Sequence, residues 1–88
     1  MTGGKERKTM ENRVNVGYKI IQSIKLDGRH EIVIGMHPTA PARYVVWDCT
    51  GGDSYDTGAY TSTYRQALLA LAERVERRYA FLPVEWTE

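Results

Sequence analysis

Cysteine is almost absent from this 88-residue sequence, which contains only Cys49. A single cysteine cannot form an intramolecular disulfide, and no set of histidines and cysteines has the spacing of a structural zinc site. The chain therefore lacks two supports on which small folds commonly depend. This cysteine usage is typical of a reducing compartment, and the sequence predicts no cofactor.

Long hydrophobic runs are missing as well. No stretch approaches the roughly 20 apolar residues that a membrane-spanning helix needs. The first eight residues carry charge rather than an apolar run, unlike a secretory signal. The sequence thus predicts a cytoplasmic protein with no membrane partner.

Neither sign of charge dominates. Twelve Lys and Arg residues stand against eleven Asp and Glu, for a net charge of +1, whereas nucleic-acid-binding domains are often strongly basic. Basic residues concentrate near the start and in the C-terminal third, and Asp48, Asp53 and Asp56 make one central region acidic. Positive and negative charges are therefore weakly separated along the chain.

Composition divides the chain into two parts. Residues 1–14 contain Gly-Gly, several charges and few apolar side chains, so burial there cannot offset the entropy of ordering. They are predicted to form a disordered basic arm. Residues 15–88 are enough for one domain with one modest core.

Two runs that alternate with period two predict a β-hairpin. In the first, Tyr18 to Leu26, the even positions are expected to point inward; the second covers residues 31–36. A two-residue Asp27-Gly28 turn would place isoleucines opposite charges. A three-residue loop over residues 26–28, with Gly28 left-handed, pairs Ile24 with His30 and is preferred.

Two further strands follow a loop that contains Pro38 and Pro41. The run from Tyr44 to Cys49 is apolar at nearly every position, which is typical of an interior strand. Residues 54–60 predict an edge strand with Tyr55, Thr57 and Ala59 on one face, in which Gly58 weakens the pattern or marks a bulge.

The last third predicts one helix. Thr63 and Gln66 have the spacing of a capping box, and apolar residues recur on one side from Tyr64 to Tyr79. An apolar tail over residues 81–86 follows, which either packs on the sheet or contacts a partner. The fold class is therefore α+β, with a three- to four-stranded antiparallel meander sheet packed by one C-terminal helix.

No catalytic or metal site emerges from the polar residues. His30 and His37 have no acid or cysteine placed to complete a site. Cys49 lies within an apolar strand, where a buried, inert thiol is expected. The central aspartates surround Gly51-Gly52 and match turn chemistry better than a calcium loop.

The candidate contact residues are aromatic side chains and helix arginines. Tyr, Trp and Arg are the residue types that anchor protein interfaces, and the same types can hold nucleic acid through stacking and phosphate contacts. For both readings the candidates are Tyr44, Tyr55, Tyr60, Arg74, Arg77, Arg78 and Trp86.

Four segments carry a family resemblance: residues 18–24, Ile34-Gly35, residues 38–47 and residues 51–55. With them the chain resembles small uncharacterised proteins from mobile elements of gut Firmicutes, over about residues 17–75. The family has no catalytic motif to carry over. Residues 56–60 depart from it, because that turn is usually more aromatic and contains histidine.

The resemblance implies a mobile-element setting, in which small proteins help the element move or disable a host defence. The first hypothesis is a non-enzymatic protein-binding module of a mobile element or phage, such as an inhibitor of a host defence complex. The alternative is a DNA-binding accessory protein that uses the basic arm, the helix arginines and the sheet aromatics. Homodimerisation is left open.

Overall fold

The computed structural model describes residues 13–79. Within these residues five strands precede one helix, and the last four strands and the helix follow the predicted order. The elements are β1 (Val14–Asn15), β2 (Tyr18–Lys25), β3 (His30–Met36), β4 (Tyr44–Thr50), β5 (Ser54–Thr61) and α1 (Tyr64–Tyr79).

The strands form one antiparallel meander sheet in the order β1-β2-β3-β4-β5. The α+β class and the single packing helix are confirmed, and β5 is an edge strand as predicted. The sheet has five strands rather than the predicted three to four. The additional strand is β1, which is only two residues long. A strand that short cannot show an alternating pattern, so no sequence pattern predicts it.

The helix begins at the predicted capping box. The Gln66 backbone N–H donates to Thr63 Oγ1 at 3.1 Å, and the Thr63 N–H donates to Gln66 Oε1 at 3.3 Å. These reciprocal bonds satisfy two amides that the first helical turn leaves without partners.

One face of the sheet packs on α1, and we call it the helix face. Ala67 and Leu71 of the helix are buried against the sheet. The small Ala67 side chain lets the helix axis approach the strands closely. Their partners in the cluster are Ile32, Ile34 and Val46, all fully buried.

A second cluster lies on the opposite side, which we call the aromatic face. Tyr18 and Tyr60 lie on strands separated by two others, a span of roughly 14 Å in a flat sheet. Their ring centroids are nevertheless only 5.9 Å apart, so the sheet curls toward this face. The buried members are Tyr18, Ile20, Val33, Val45, Trp47 and Cys49.

The predicted hairpin register is wrong by two residues. The loop has three residues, as predicted, but they are 27–29. The Leu26 backbone N–H donates to the His30 carbonyl at 2.8 Å, Lys25 pairs with Glu31, and Ile24 pairs with Ile32. The Asp27 carboxylate sets the turn by accepting the backbone N–H groups of residues 29 and 30, each at 2.8 Å. Gly28 is not among the left-handed residues.

A bulge in β2 overturns the expectation that its even positions share one face. The register shifts between Ile20 and Gln22. Ile20 therefore joins the aromatic face opposite Gly35, whereas Gln22 and Ile24 lie on the helix face. An extra residue in one strand reverses the facing of all that follow.

The predicted arm ends in ordered structure. Val14 lies in β1, and the buried Arg13 accepts a backbone hydrogen bond from Ile20 at 2.9 Å. The rest of the arm and the apolar tail with Trp86 lie outside the described residues. Within residues 13–79, the helix is too short and too polar to traverse a bilayer.

Candidate functional site

The aromatic face presents a group of contacting rings. Trp47 stands at its centre, with its ring centroid 5.8 Å from that of Tyr18, 5.4 Å from Tyr55 and 6.4 Å from Tyr60. The contacts with Tyr18 and Tyr60 are edge-on, an arrangement that aromatic pairs favour. We call Tyr18, Trp47, Tyr55 and Tyr60 the ring cluster.

Tyr60 is the exposed member of the ring cluster. It is 55% exposed, whereas Trp47 is 4% and Tyr18 is 7% exposed. Tyr60 pairs with Val45 of β4, and paired residues of neighbouring strands lie on the same face of the sheet. Since Val45 belongs to the aromatic face, Tyr60 lies there too. The ring is thus held from below by two buried rings and faces solvent from above.

Gly58 makes room for these rings. A Cβ atom at this position would lie 2.9 Å from Trp47 Nε1 and 2.9 Å from Tyr60 Cε1. The β4–β5 register shifts here as well, between Val46 and Asp48, which confirms the bulge reading of Gly58. The bulge also separates Tyr55 on the aromatic face from Ala59 on the helix face, so the prediction that they share a face is wrong.

A buried ion pair lies beside the ring cluster. Arg13 binds Glu31 through Nη2 to Oε2 at 2.7 Å and Nη1 to Oε1 at 3.3 Å. Its Nε donates to the Tyr55 hydroxyl at 3.2 Å, and Ser23 donates to the Glu31 carboxylate. The pair ties the start of the described chain to β2, β3 and β5.

The ion pair changes how its neighbours titrate. Burial alone would raise the pKa of Glu31, but hydrogen bonds from Arg13 and Ser23 outweigh it and hold the pKa below its ordinary value. Burial, reinforced by the Glu31 charge, raises the pKa of Cys49. Cys49 is 1% exposed, so the buried, poorly reactive thiol expected from sequence is what the structure contains.

Both histidines stabilise turns. His30 Nδ1 lies 3.0 Å from the Asp27 carboxylate, and backbone hydrogen bonds to residues 29 and 30 lower the Asp27 pKa to about 2. His37 Nδ1 accepts the backbone N–H groups of Thr39 and Ala40 at 3.2 and 3.1 Å. Each imidazole therefore organises its own loop.

The three predicted helix arginines come together in one cleft. Arg74, Arg77 and Arg78 line it together with Asp48 and Thr57, around a volume of about 170 Å³. Arg74 Nη1 binds Asp48 Oδ1 at 3.1 Å. This cleft lies on the helix side of the sheet, away from the ring cluster.

The predicted contact residues therefore occupy separate places. Tyr55 and Tyr60 lie on the aromatic face, and the arginines line the cleft. Tyr44 lies on the helix face, where its ring centroid is 5.7 Å from that of Tyr64. Trp86 lies outside the described residues, so its prediction stands untested.

The acidic residues around Gly51-Gly52 lie in a turn and in the strands that flank it. Asp48 pairs with Asp56 across β4 and β5, a like-charge contact that Arg74 offsets by binding Asp48. Gly51 and Gly52 turn the chain with positive φ. Within residues 13–79, no group of three His, Cys, Asp or Glu side chains could hold a metal ion.

Sequence reasoning missed two contributors to the aromatic face. Arg13 falls within the predicted disordered arm, and in the sequence Glu31 is only a charged position in an alternating strand. The available signal was a carboxylate directly before the apolar run of residues 32–34, because a buried carboxylate requires a cation nearby. The sequence did not say which cation.

Comparison with protein-family models, with curated proteins and with solved structures finds no match for this chain. The resemblance to mobile-element proteins and the cytoplasmic location accordingly stay predictions.

Proposed function

We propose that this chain is a non-enzymatic protein-binding module and that its contact surface is the ring cluster centred on Tyr60. The observation that carries the proposal is the state of that side chain: it is 55% exposed, yet its ring lies against two buried rings.

A tyrosine held in this way suits an interface. Its ring loses little conformational freedom on binding, because Tyr18 and Trp47 already restrict it. Tyrosine also combines a large apolar area with a hydroxyl, and interface hot spots are enriched in it. The exposed ring is therefore a preorganised anchor.

A protein is the partner that the charge distribution favours. The net charge of +1 gives weak attraction to a polyanion, and the arginine on the aromatic face, Arg13, is buried and neutralised by Glu31. A protein surface with an apolar pocket for Tyr60 is the matching chemistry. The resemblance to mobile-element proteins points to a component of a host defence complex, which the module would inhibit.

The proposal of a binding module rather than an enzyme is supported by the state of the nucleophile and bases. Cys49 is buried with a raised pKa, and a thiol needs the opposite to attack a substrate. His30 and His37 already have partners in their own turns.

DNA binding is the second candidate, and the arginine cleft is the observation in its favour. Asp48 and Asp56 lie on the same side of the sheet and oppose an extended phosphate track. Duplex binding that weakens steeply with rising salt would support this candidate. If no binding occurs at low salt, it is eliminated.

The test places a photo-crosslinking amino acid at position 60 and, as a matched control, at position 69. Leu69 is 61% exposed on the helix, so it presents a comparable apolar surface away from the ring cluster. Both proteins are irradiated in lysate of the organism that encodes the chain, and crosslinked products are identified by mass spectrometry.

The proposal expects that the probe at position 60 crosslinks to one discrete partner protein, and that the probe at position 69 does not crosslink to it. The purified partner should then bind the parent chain directly. Equal products from both positions, or products with nucleic acid alone, would contradict the proposal. A crosslink between two copies of this chain would replace the partner by a homodimer and would also count against it.

A further inference from the structure

The cleft lined by the three helix arginines, which we call the arginine cleft, has no part in the proposed contact surface at the ring cluster. Arg74, Arg77 and Arg78 stand at i, i+3 and i+4, and residues so spaced share one side of a helix. They face Asp48 of β4 and Thr57 of β5 across the cleft. Basic residues in a last helical turn complement the helix dipole, but that role does not require them to line a common cavity.

The cleft has an excess of positive charge. Three arginines and one aspartate give a formal charge of +2 within its lining, which Asp56, paired with Asp48 across the strands, reduces at its margin. Arg74 is fixed by its bond to Asp48. Arg77 and Arg78 supply the donors that a dianion would use.

Size restricts the ligand. The cleft holds about 170 Å³, below the range of roughly 300 to 1,000 Å³ for drug-sized ligand pockets. One water needs about 10 to 15 Å³ on a comparable measure. A phosphoryl group and its immediate substituent fit, whereas a dinucleotide does not.

The backbone at the rim is held in an uncommon conformation. Thr57 has φ +56, a left-handed value that a β-branched residue rarely adopts. Such positions gather at ligand-binding sites, and Thr57 is one of the residues that line the cleft.

We propose that this cleft binds the dianionic phosphoryl group of a phosphate monoester, with Arg77 and Arg78 as its main ligands and Arg74 and Thr57 as supporting donors. Guanidinium groups match tetrahedral oxyanions through paired hydrogen bonds. This site is separate from the ring cluster and does not depend on the protein-binding proposal.

The test is an NMR titration of the full-length chain with phenyl phosphate and inorganic phosphate, against sodium chloride at matched ionic strength. The proposal expects saturable shifts confined to residues 48, 57 and 74–78, with a Kd in the millimolar range or tighter. R77A and R78A should each weaken binding by about tenfold. R65A, which removes an exposed arginine from the first turn of the same helix, should leave it unchanged.

A phosphoserine peptide identifies the source of the group. Tighter binding than phenyl phosphate assigns it to a phosphorylated protein, and equal binding assigns it to the phosphoryl group alone; both support the site. Shifts that match those from chloride, or an R65A effect equal to that of R77A, would overturn the proposal. A competition with duplex DNA gives a further contradicting outcome. If the DNA displaces phenyl phosphate from the parent and from R65A with different affinities, Arg65 contributes to anion binding, and an extended basic surface rather than the cleft binds the phosphate.

Discussion

Arg13 Nη2 lies 2.7 Å from Glu31 Oε2, and the two side chains are 9% and 5% exposed. The pair joins a residue before the first strand to the centre of the sheet. In a domain with one modest core, a buried ion pair of this kind fixes which segments meet, even where its net stabilisation is small.

Removing one partner of this pair should be costly. E31A leaves the Arg13 charge buried and uncompensated, and we expect the free energy of unfolding to fall by about 3 to 5 kcal/mol. The matched control is E73A on the exposed side of the helix, for which about 0.5 kcal/mol or less is expected. Urea unfolding measures both.

The double variant R13M/E31L separates pairing from packing. It removes both charges and should recover most of the loss, because no buried charge stays uncompensated. If E31A instead behaves like E73A, the ion pair does not form in solution.

Acid should destabilise the fold in a defined range. The pKa of Glu31 is lowered from its ordinary 4.5, and that of Asp27 from 3.8 to about 2. A carboxylate whose pKa is lowered by folding stabilises the fold above its unfolded pKa, and this contribution is lost as pH falls through the folded value. We expect stability to drop from about pH 4.5 down to about pH 2.

Thermal unfolding between pH 2 and pH 7 checks this dependence. E31Q should flatten the curve, whereas E73Q should leave its shape unchanged. NMR titration of Asp27 adds a direct reading. A pKa near its ordinary value would contradict the turn geometry.

Much of the fold was readable because its signals are local. The capping box at Thr63 and the apolar period fix the helix from Tyr64 to Tyr79, and both depend on residues within a few positions of each other. Alternation, together with the continuous apolar run from Tyr44 to Cys49, placed four strands for the same reason. The register failed because the Asp27 carboxylate, rather than Gly28, governs the turn.

The candidate site was harder to predict, because facing depends on long-range pairing. Tyr44 and Tyr60 look equivalent in sequence. Tyr60 pairs with Val45 rather than with Tyr44, and this register alone sends them to opposite faces. The bulge between Ile20 and Gln22 changes the facing within β2 without a local signal, whereas Gly58 was a local sign of the bulge in β5.

Adding a methyl group at Gly58 should disturb the ring cluster. The new Cβ atom would meet Trp47 and Tyr60 at 2.9 Å, so we expect G58A to destabilise the protein by about 1 to 3 kcal/mol. G28A is the control, because nothing lies within 4 Å of a Cβ at that position. Trp47 fluorescence with urea unfolding follows both. Equal effects of the two changes would mean that the rings do not pack over Gly58.

Val16 should be replaceable with a gain in stability. It has φ +48 in the turn before β2, with Gly17 at φ +83, and it is 73% exposed. Asn-Gly is the preferred pair for a two-residue turn with both φ positive, and a β-branched residue is strained there. We expect V16N to raise the free energy of unfolding by about 1 kcal/mol.

V14N is the matched control for that change. Val14 is also exposed, but it lies in β1, where asparagine is disfavoured. V14N should be neutral or destabilising in the same urea experiment. A gain from V14N as large as that from V16N would point to solubility rather than turn strain.

The most direct test of the binding-module account is the affinity of the crosslinked partner, once purified, for Y60A and for L69A. An anchor residue costs about 2 kcal/mol or more on truncation, which is roughly thirtyfold in Kd. The account predicts at least that loss for Y60A and a Kd within about twofold of the parent for L69A. Equal affinities for the parent and Y60A, with both variants folded, would contradict it.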